Sequence, residues 1–125
     1  MRFPLLQSLL LAMWSVAGVP ALAQDWPQSP VKVIVPFDAG STPDVAARML
    51  GERLAQRLHQ PFVVENKSGG SGNIGTDMVA KAPGDGRTIG VSIAGPLGVN
   101  ALLFNKMPYD VAKDIEPWPR HRASC

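Results

Sequence analysis

Apolar positions along this chain fall into runs whose period changes from one segment to the next. Val31 to Val35 is rich in β-branched residues and apolar on both faces except at Lys32, the pattern of a buried parallel strand. Pro36 ends it. From Thr42 the spacing becomes helical, with Ala46, Ala47, Leu50, Leu54 and Leu58 on one face and Arg48, Glu52, Arg53, Gln56 and Arg57 on the other. A hydroxyl N-cap at Thr42, proline at the first helical position and Asp44 in the first turn mark the helix start. Phe62 to Glu65 predicts a second strand and Asn66 to Gly72 a Gly/Ser loop. Asn73 then caps a second helix through about Lys81, with Ile74, Met78, Val79 and Ala82 inward. After the turn cluster Ala82-Pro-Gly-Asp-Gly86, Thr88 to Ile93 predicts a third strand, and Leu97 to Phe104 a short helix.

This alternation gives two βαβ units, and therefore an α/β fold: a three-layer arrangement of parallel or mixed sheet with flanking helices. Open sheets of this kind bind ligands in the crevice outside the carboxyl ends of their strands. The segment from Val31 to Arg48 aims a helix N-terminus there, with its unpaired N–H groups and partial positive charge. The Gly70–Gly75 loop is read as a second backbone cradle for an anion at the start of the second helix. Together with the hydroxyls of Ser41, Thr42, Ser71 and Ser92, two such cradles hold a carboxylate without Arg or Lys. Each residue also has a structural reading. Thr42 is explained as a plain N-cap, and Asp44 stabilises its helix through the dipole alone, by roughly 0.3–1 kcal/mol. Phe37 is either core or a pocket wall, and Asn66, Asn73 and Asn100 read as turn or cap residues.

Gly70-Ser-Gly72-Asn-Ile-Gly75 also matches the dinucleotide fingerprint, so a nucleotide-cofactor enzyme is the alternative. Against it, Lys67-Ser68-Gly69 delays the turn, and the third strand ends at Ser92-Ile-Ala-Gly95 without the acid that would hold a ribose. None of the candidate Ser or Asp residues has a His nearby in sequence. The sole cysteine is Cys125, and the two histidines, His59 and His121, are far apart. No enzyme, cofactor or metal is expected.

Arg2, the apolar run Leu5–Val19 and Ala21-Leu-Ala23 form a cleaved export signal over 1–23, leaving Gln24 first. Gln7, Ser8 and Ser15 interrupt that run, which falls short of the roughly 20 apolar residues a membrane anchor needs. No cysteine near the cleavage site supports a lipid anchor. The formal charge of +2 shrinks on inspection: nine Lys/Arg face ten Asp/Glu between Gln24 and Glu116. No basic stripe remains for nucleic acid.

At these residues the chain resembles the Bug-type solute receptors of tripartite tricarboxylate transporters. The resemblance covers about Trp26 to Glu116. It rests on Pro36-Phe-Asp-Ala-Gly40 with Asp44, on Val64-Glu-Asn-Lys-Ser-Gly-Gly-Ser-Gly-Asn-Ile-Gly75, and on Ala80-Lys-Ala and Asp85-Gly86. Pro108-Tyr-Asp110 and Lys113-Asp114 complete the ordered set. The likeness implies part of the first lobe of a type II periplasmic binding protein, the two-lobed Venus-flytrap fold. It also implies a periplasmic monomer that hands small carboxylates to a membrane permease. Loops matching Phe37 to Asp44, Ser68 to Gly75 and Ser92 to Gly95 would line the cleft. They contribute Phe37, Ala39, Gly40, Ser41, Thr42, Asp44, Gly70, Ser71, Gly72, Asn73, Ser92 and Ala94. Ser41 stands where the family usually has glycine, and Pro43 is a second departure. If position 41 needs a positive φ, the serine is strained.

Residues 24–116 follow the family, whereas 117–125 have an abrupt Pro/Arg/His/Cys content and no apolar period. A frameshifted or prematurely stopped gene, even a non-functional remnant, is the expectation there. The first lobe is then incomplete, and this polypeptide alone is expected to bind carboxylates weakly or not at all.

Overall fold

The computed structural model describes residues 26–117. The export signal expected over 1–23 lies outside the described residues, as does all but Pro117 of the aberrant tail.

Three parallel strands form one sheet in the order β2–β1–β3: β1 is Val31–Val35, β2 Phe62–Asn66 and β3 Thr88–Gly90. Helix α1 (Thr42–Leu58) connects β1 to β2, and α2 (Asn73–Ala80) leads towards β3. A wide π-type turn, Gly95–Val99, runs into α3 (Asn100–Leu103), and α4 is a single turn, Val111–Asp114. In register, Val33 lies opposite Val64 on one side and Ile89 on the other. The central strand is the most buried element, as its apolar run requires, with only Lys32 exposed. Lys32 meets Glu65 of the neighbouring strand at 3.1 Å.

Side chains alternate across a strand, so β1 serves two cores. Val33 and Val35 pack with Ala47 of α1, and Phe37, Phe62, Val64, Ile89 and Val91 close around them. Ile34 points the other way, beside its partner Gly90, where α2 lies: a Cβ on Gly90 would stand 3.0 Å from Val79. A Cβ on Gly75 would stand 2.7 Å from both Pro36 Cα and the Lys67 carbonyl. The two longer helices therefore cover opposite faces of the sheet, each seated by a small residue. Trp26 holds the lead-in by donating from Nε1 to the Gly86 carbonyl at 3.2 Å and by an edge contact with Phe62.

Several sequence expectations change. Ala46 and Leu50 are exposed, and α1 instead buries Asp44, Ala47 and Gly51. Gly51 lets the helix approach Phe62, so the roll is set by the smallest side chains rather than the largest. In α2 the buried residues are Asn73, Gly75 and Thr76, while Ile74 and Met78 are exposed, again because Gly75 is the point of closest approach. Strand β3 is three residues long, not six. Val91 still donates to the Ile34 carbonyl at 3.0 Å, but the next donor on β1 would be Pro36, which has no N–H. Among the described residues no helix is long and apolar enough to cross a membrane.

Candidate functional site

The loop between β1 and α1 is organised by Asp44. This residue is only 2% exposed. Its carboxylate accepts from the Gly40 N–H at 2.8 Å, from Arg48 Nε at 3.1 Å and from Asn66 Nδ2 at 2.9 Å. The same Asn66 amide donates to the Phe37 carbonyl at 3.0 Å, and Arg48 donates to Asn66 Oδ1 at 3.1 Å. The Arg48 guanidinium foremost, then the Gly40 N–H and the Asn66 amide, hold the Asp44 carboxyl at a pKa of about 2. Asp44 is thus an anion already satisfied. It shapes the loop.

Ser41, not Thr42, occupies the N-cap position, since its carbonyl accepts the first helical bond from Val45 N–H at 3.0 Å. Its side chain makes no cap bond, and Pro43 removes one of the donors it could have served. Ser41 has φ −69°, so the strain considered for a serine there does not arise, and Gly40 takes the positive φ, +82°.

The second loop is built from four consecutive left-handed or positive-φ residues: Gly69, Gly70, Ser71 and Gly72. Gly72 occupies the cap position of α2, and Asn73 is its first helical residue, a correction of the expected Asn73 cap. The N–H groups of Gly72 and Ile74 donate to the Gly69 carbonyl, and that of Asn73 donates to the Gly70 carbonyl. This folds the loop on itself. Three of the loop's N–H groups, those of Gly72, Asn73 and Ile74, are thus engaged within the loop itself.

Asn73 turns inward instead. Its Oδ1 accepts from Asn100 Nδ2 at 2.6 Å and lies 3.1 Å from the Tyr109 hydroxyl, which donates to the Pro96 carbonyl at 2.8 Å. Asn73, Asn100 and Tyr109 are all buried. Burial raises the Tyr109 phenol above its ordinary pKa.

The three loops meet at Gly72. A Cβ there would stand 2.6 Å from Pro96 and 3.0 Å from the Phe37 ring. Phe37 follows β1, Gly72 follows β2 and Pro96 follows β3, so the carboxyl ends of all three strands share one junction. On these three loops Ala39, Gly40, Thr42, Gly70, Ser71 and Ala94 are exposed, with Ser41 and Ser92 partly so. Two hydroxyls, Ser41 Oγ and Ser92 Oγ, are buried without a hydrogen-bond partner. Groups of this kind are uncommon and call for an explanation. The sequence reading missed Arg48, Asn66, Asn100, Tyr109 and Pro96 as contributors. Asn100 could have been suspected, as an amide within the otherwise apolar run Leu97 to Phe104. Among the described residues no three His, Cys, Asp or Glu side chains gather as a metal site would require.

The model of the tripartite tricarboxylate transporter family receptor matches residues 46–120. This chain belongs to that receptor family. The family is one of transporter receptors, not of enzymes, which removes the nucleotide-enzyme alternative. The receptor-family chain is 42% identical over 106 residues to Protein BugT of Bordetella pertussis, covering 82% of this chain and 32% of that protein. Among solved structures it resembles R. palustris Rpa4515 with adipate, at 43% identity and TM-score 0.68, over 70% of this chain and 29% of that one. MatC from Rhodopseudomonas palustris with bound malate is 37% identical at TM-score 0.68, over 71% and 30%. The chain spans about a third of the length of the curated relatives it matches.

Proposed function

We propose that this chain forms one wall of an extracytoplasmic receptor cleft for small carboxylates, within the first lobe of a two-lobed binding protein, and that the receptor delivers its solute to a membrane permease. The observation that carries the reading is the convergence of the three strand-end loops at Gly72, two of them carrying a buried, unpartnered hydroxyl, Ser41 Oγ and Ser92 Oγ. A carboxylate oxygen is an acceptor only, and hydroxyl and backbone N–H donors suit it. Two structurally similar family members carry adipate and malate, both dicarboxylates.

Solute contacts come from Ser41, Thr42, Ser71 and Ser92, with Phe37, Ala39, Gly40, Gly70, Gly72 and Ala94 shaping the surface. Asp44 and Asn73 act from behind, because their polar atoms are engaged within the protein. The exposure of these loops leaves a bound acid largely hydrated, so affinity for the isolated chain is low, near the millimolar range, about 4 kcal/mol. A periplasmic location follows from the same reading.

Equilibrium dialysis with labelled malate and adipate tests it. Weak, saturable binding that the uncharged diamides do not compete away is expected. Absence of binding at tens of millimolar, or equal competition by the diamides, would count against a carboxylate site.

A further inference from the structure

Ser71 is the odd member of its loop. It stands between Gly70 and Gly72 with φ +57° and ψ +34°, a conformation glycine adopts without steric cost and serine does not. Something must hold it there, and something must make its hydroxyl worth keeping. The holding group is visible from beneath: Asn100 Nδ2 donates to the Ser71 carbonyl at 3.1 Å and, with its other proton, to Asn73 Oδ1 at 2.6 Å. Asn100 is 4% exposed, whereas Ser71 lies on the surface. The amide is fixed in turn, because Asn73 is packed against Tyr109, and the Tyr109 hydroxyl holds the Pro96 carbonyl. Pro96 itself abuts Gly72, the residue after Ser71. The backbone of Ser71 is therefore gripped from the buried side, and its side chain is the part left to face outward.

We propose that Asn100 is a positioning residue that pins Ser71 in the left-handed conformation, and that Ser71 so held donates its hydroxyl to the bound carboxylate. This rests on the receptor reading for its ligand, but the pin itself is a property of the protein alone. Two readouts separate them: the hydrogen-exchange rate of the Gly72 amide, which donates to the Gly69 carbonyl at 3.0 Å, and the affinity for malate. The amide of Lys32, which donates to Arg87 in the sheet at 2.8 Å, reports general stability.

Asn100→Ala is expected to speed Gly72 exchange about tenfold or more while Lys32 changes less, and to weaken malate binding about tenfold. Ser71→Gly alone should leave Gly72 protected, since glycine accepts the same φ, yet lose malate affinity with the hydroxyl. In the double variant the protection of Gly72 should return and the affinity should not. Should Asn100→Ala not fold, Asn100→Asp keeps the shape and removes the donor, with the same expected pattern at neutral pH.

Unchanged Gly72 exchange in the Asn100 variant, or an equal rise at Gly72 and Lys32, would overturn the pin. Unaltered malate affinity in Ser71→Gly would overturn the hydroxyl's role. A wild-type chain that binds neither malate nor adipate would overturn the receptor reading and with it the role of the hydroxyl, while the Gly72 amide would still decide the pin.

Discussion

Asn66 Nδ2 donates to Asp44 Oδ1 across 2.9 Å, tying the last residue of β2 to the first turn of α1. The two residues stand 22 positions apart, and the same amide reaches the Phe37 carbonyl. The β1–α1 loop is thus fastened to the sheet at both its ends. Replacing Asn66 by Asp would set a second carboxylate against Asp44 and take away both donations. Asn66→Asp is expected to lower the Tm by about 5–10 °C at pH 7. The deficit should narrow below about pH 4, as the new acid becomes protonated and can donate again. Thermal unfolding at pH 7 and pH 3 checks this, and equal deficits at the two pH values would contradict it.

The Asp44 carboxyl gives the protein an acid-sensitive element. Its folded pKa, about 2, lies below the ordinary 3.8, so the unfolded chain takes up this proton more readily. The stability it contributes is complete above the ordinary value and drains away as pH falls from 3.8 towards about 2. Asp85, through the Arg87 backbone N–H, and Asp110, through Lys113, are lowered too and act in the same direction. Asp44→Asn should therefore be less stable than wild type at pH 7 and show a shallower loss between pH 4 and pH 2. Denaturant midpoints across that range measure it; parallel curves for the two proteins would rule the assignment out.

Two glycines should respond oppositely to the same substitution. At Gly75 a methyl group would meet Pro36 and the Lys67 carbonyl at 2.7 Å, both parts of the backbone on which α2 sits. Gly75→Ala is expected to cost about 1–3 kcal/mol through overpacking, and to displace the loop that carries Ser71. At Gly84 nothing stands within 4 Å and φ is not positive. Gly84→Ala is expected to be neutral or to stabilise by about 0.4–1 kcal/mol, by restricting the unfolded chain. Urea unfolding of the pair tests both signs.

The strands β1 and β2, the span of α1 and the βαβ order were legible because each depends on local periodicity and on Pro36, Pro43 and the glycine turns. The inward faces of the helices were not. Leu50 and Met78 look like core residues in a linear reading, but Gly51 and Gly75 decide which side can come close to the sheet. The short β3 depends on Pro36, just past the end of β1, which no window around Thr88 reveals. The site followed the same division. That the loops at the carboxyl ends of the three strands meet was readable from topology. The roles of Asn66 and Asn100 were not, since each acts on a residue more than 20 positions away. Ser71 was named as a donor, yet its left-handed backbone and its buried support are facts of tertiary contact.

The most direct measurement is an amide-resolved NMR titration of the isolated chain with malate at pH 7. If the three loops form one carboxylate surface, saturable shifts should cluster at Thr42, Ser71 and Ser92 and their neighbours, and shrink together in Ser41→Ala and Ser92→Ala. Shifts scattered over the outer face of α1, or confined to a single loop and indifferent to both serine variants, would contradict a shared site.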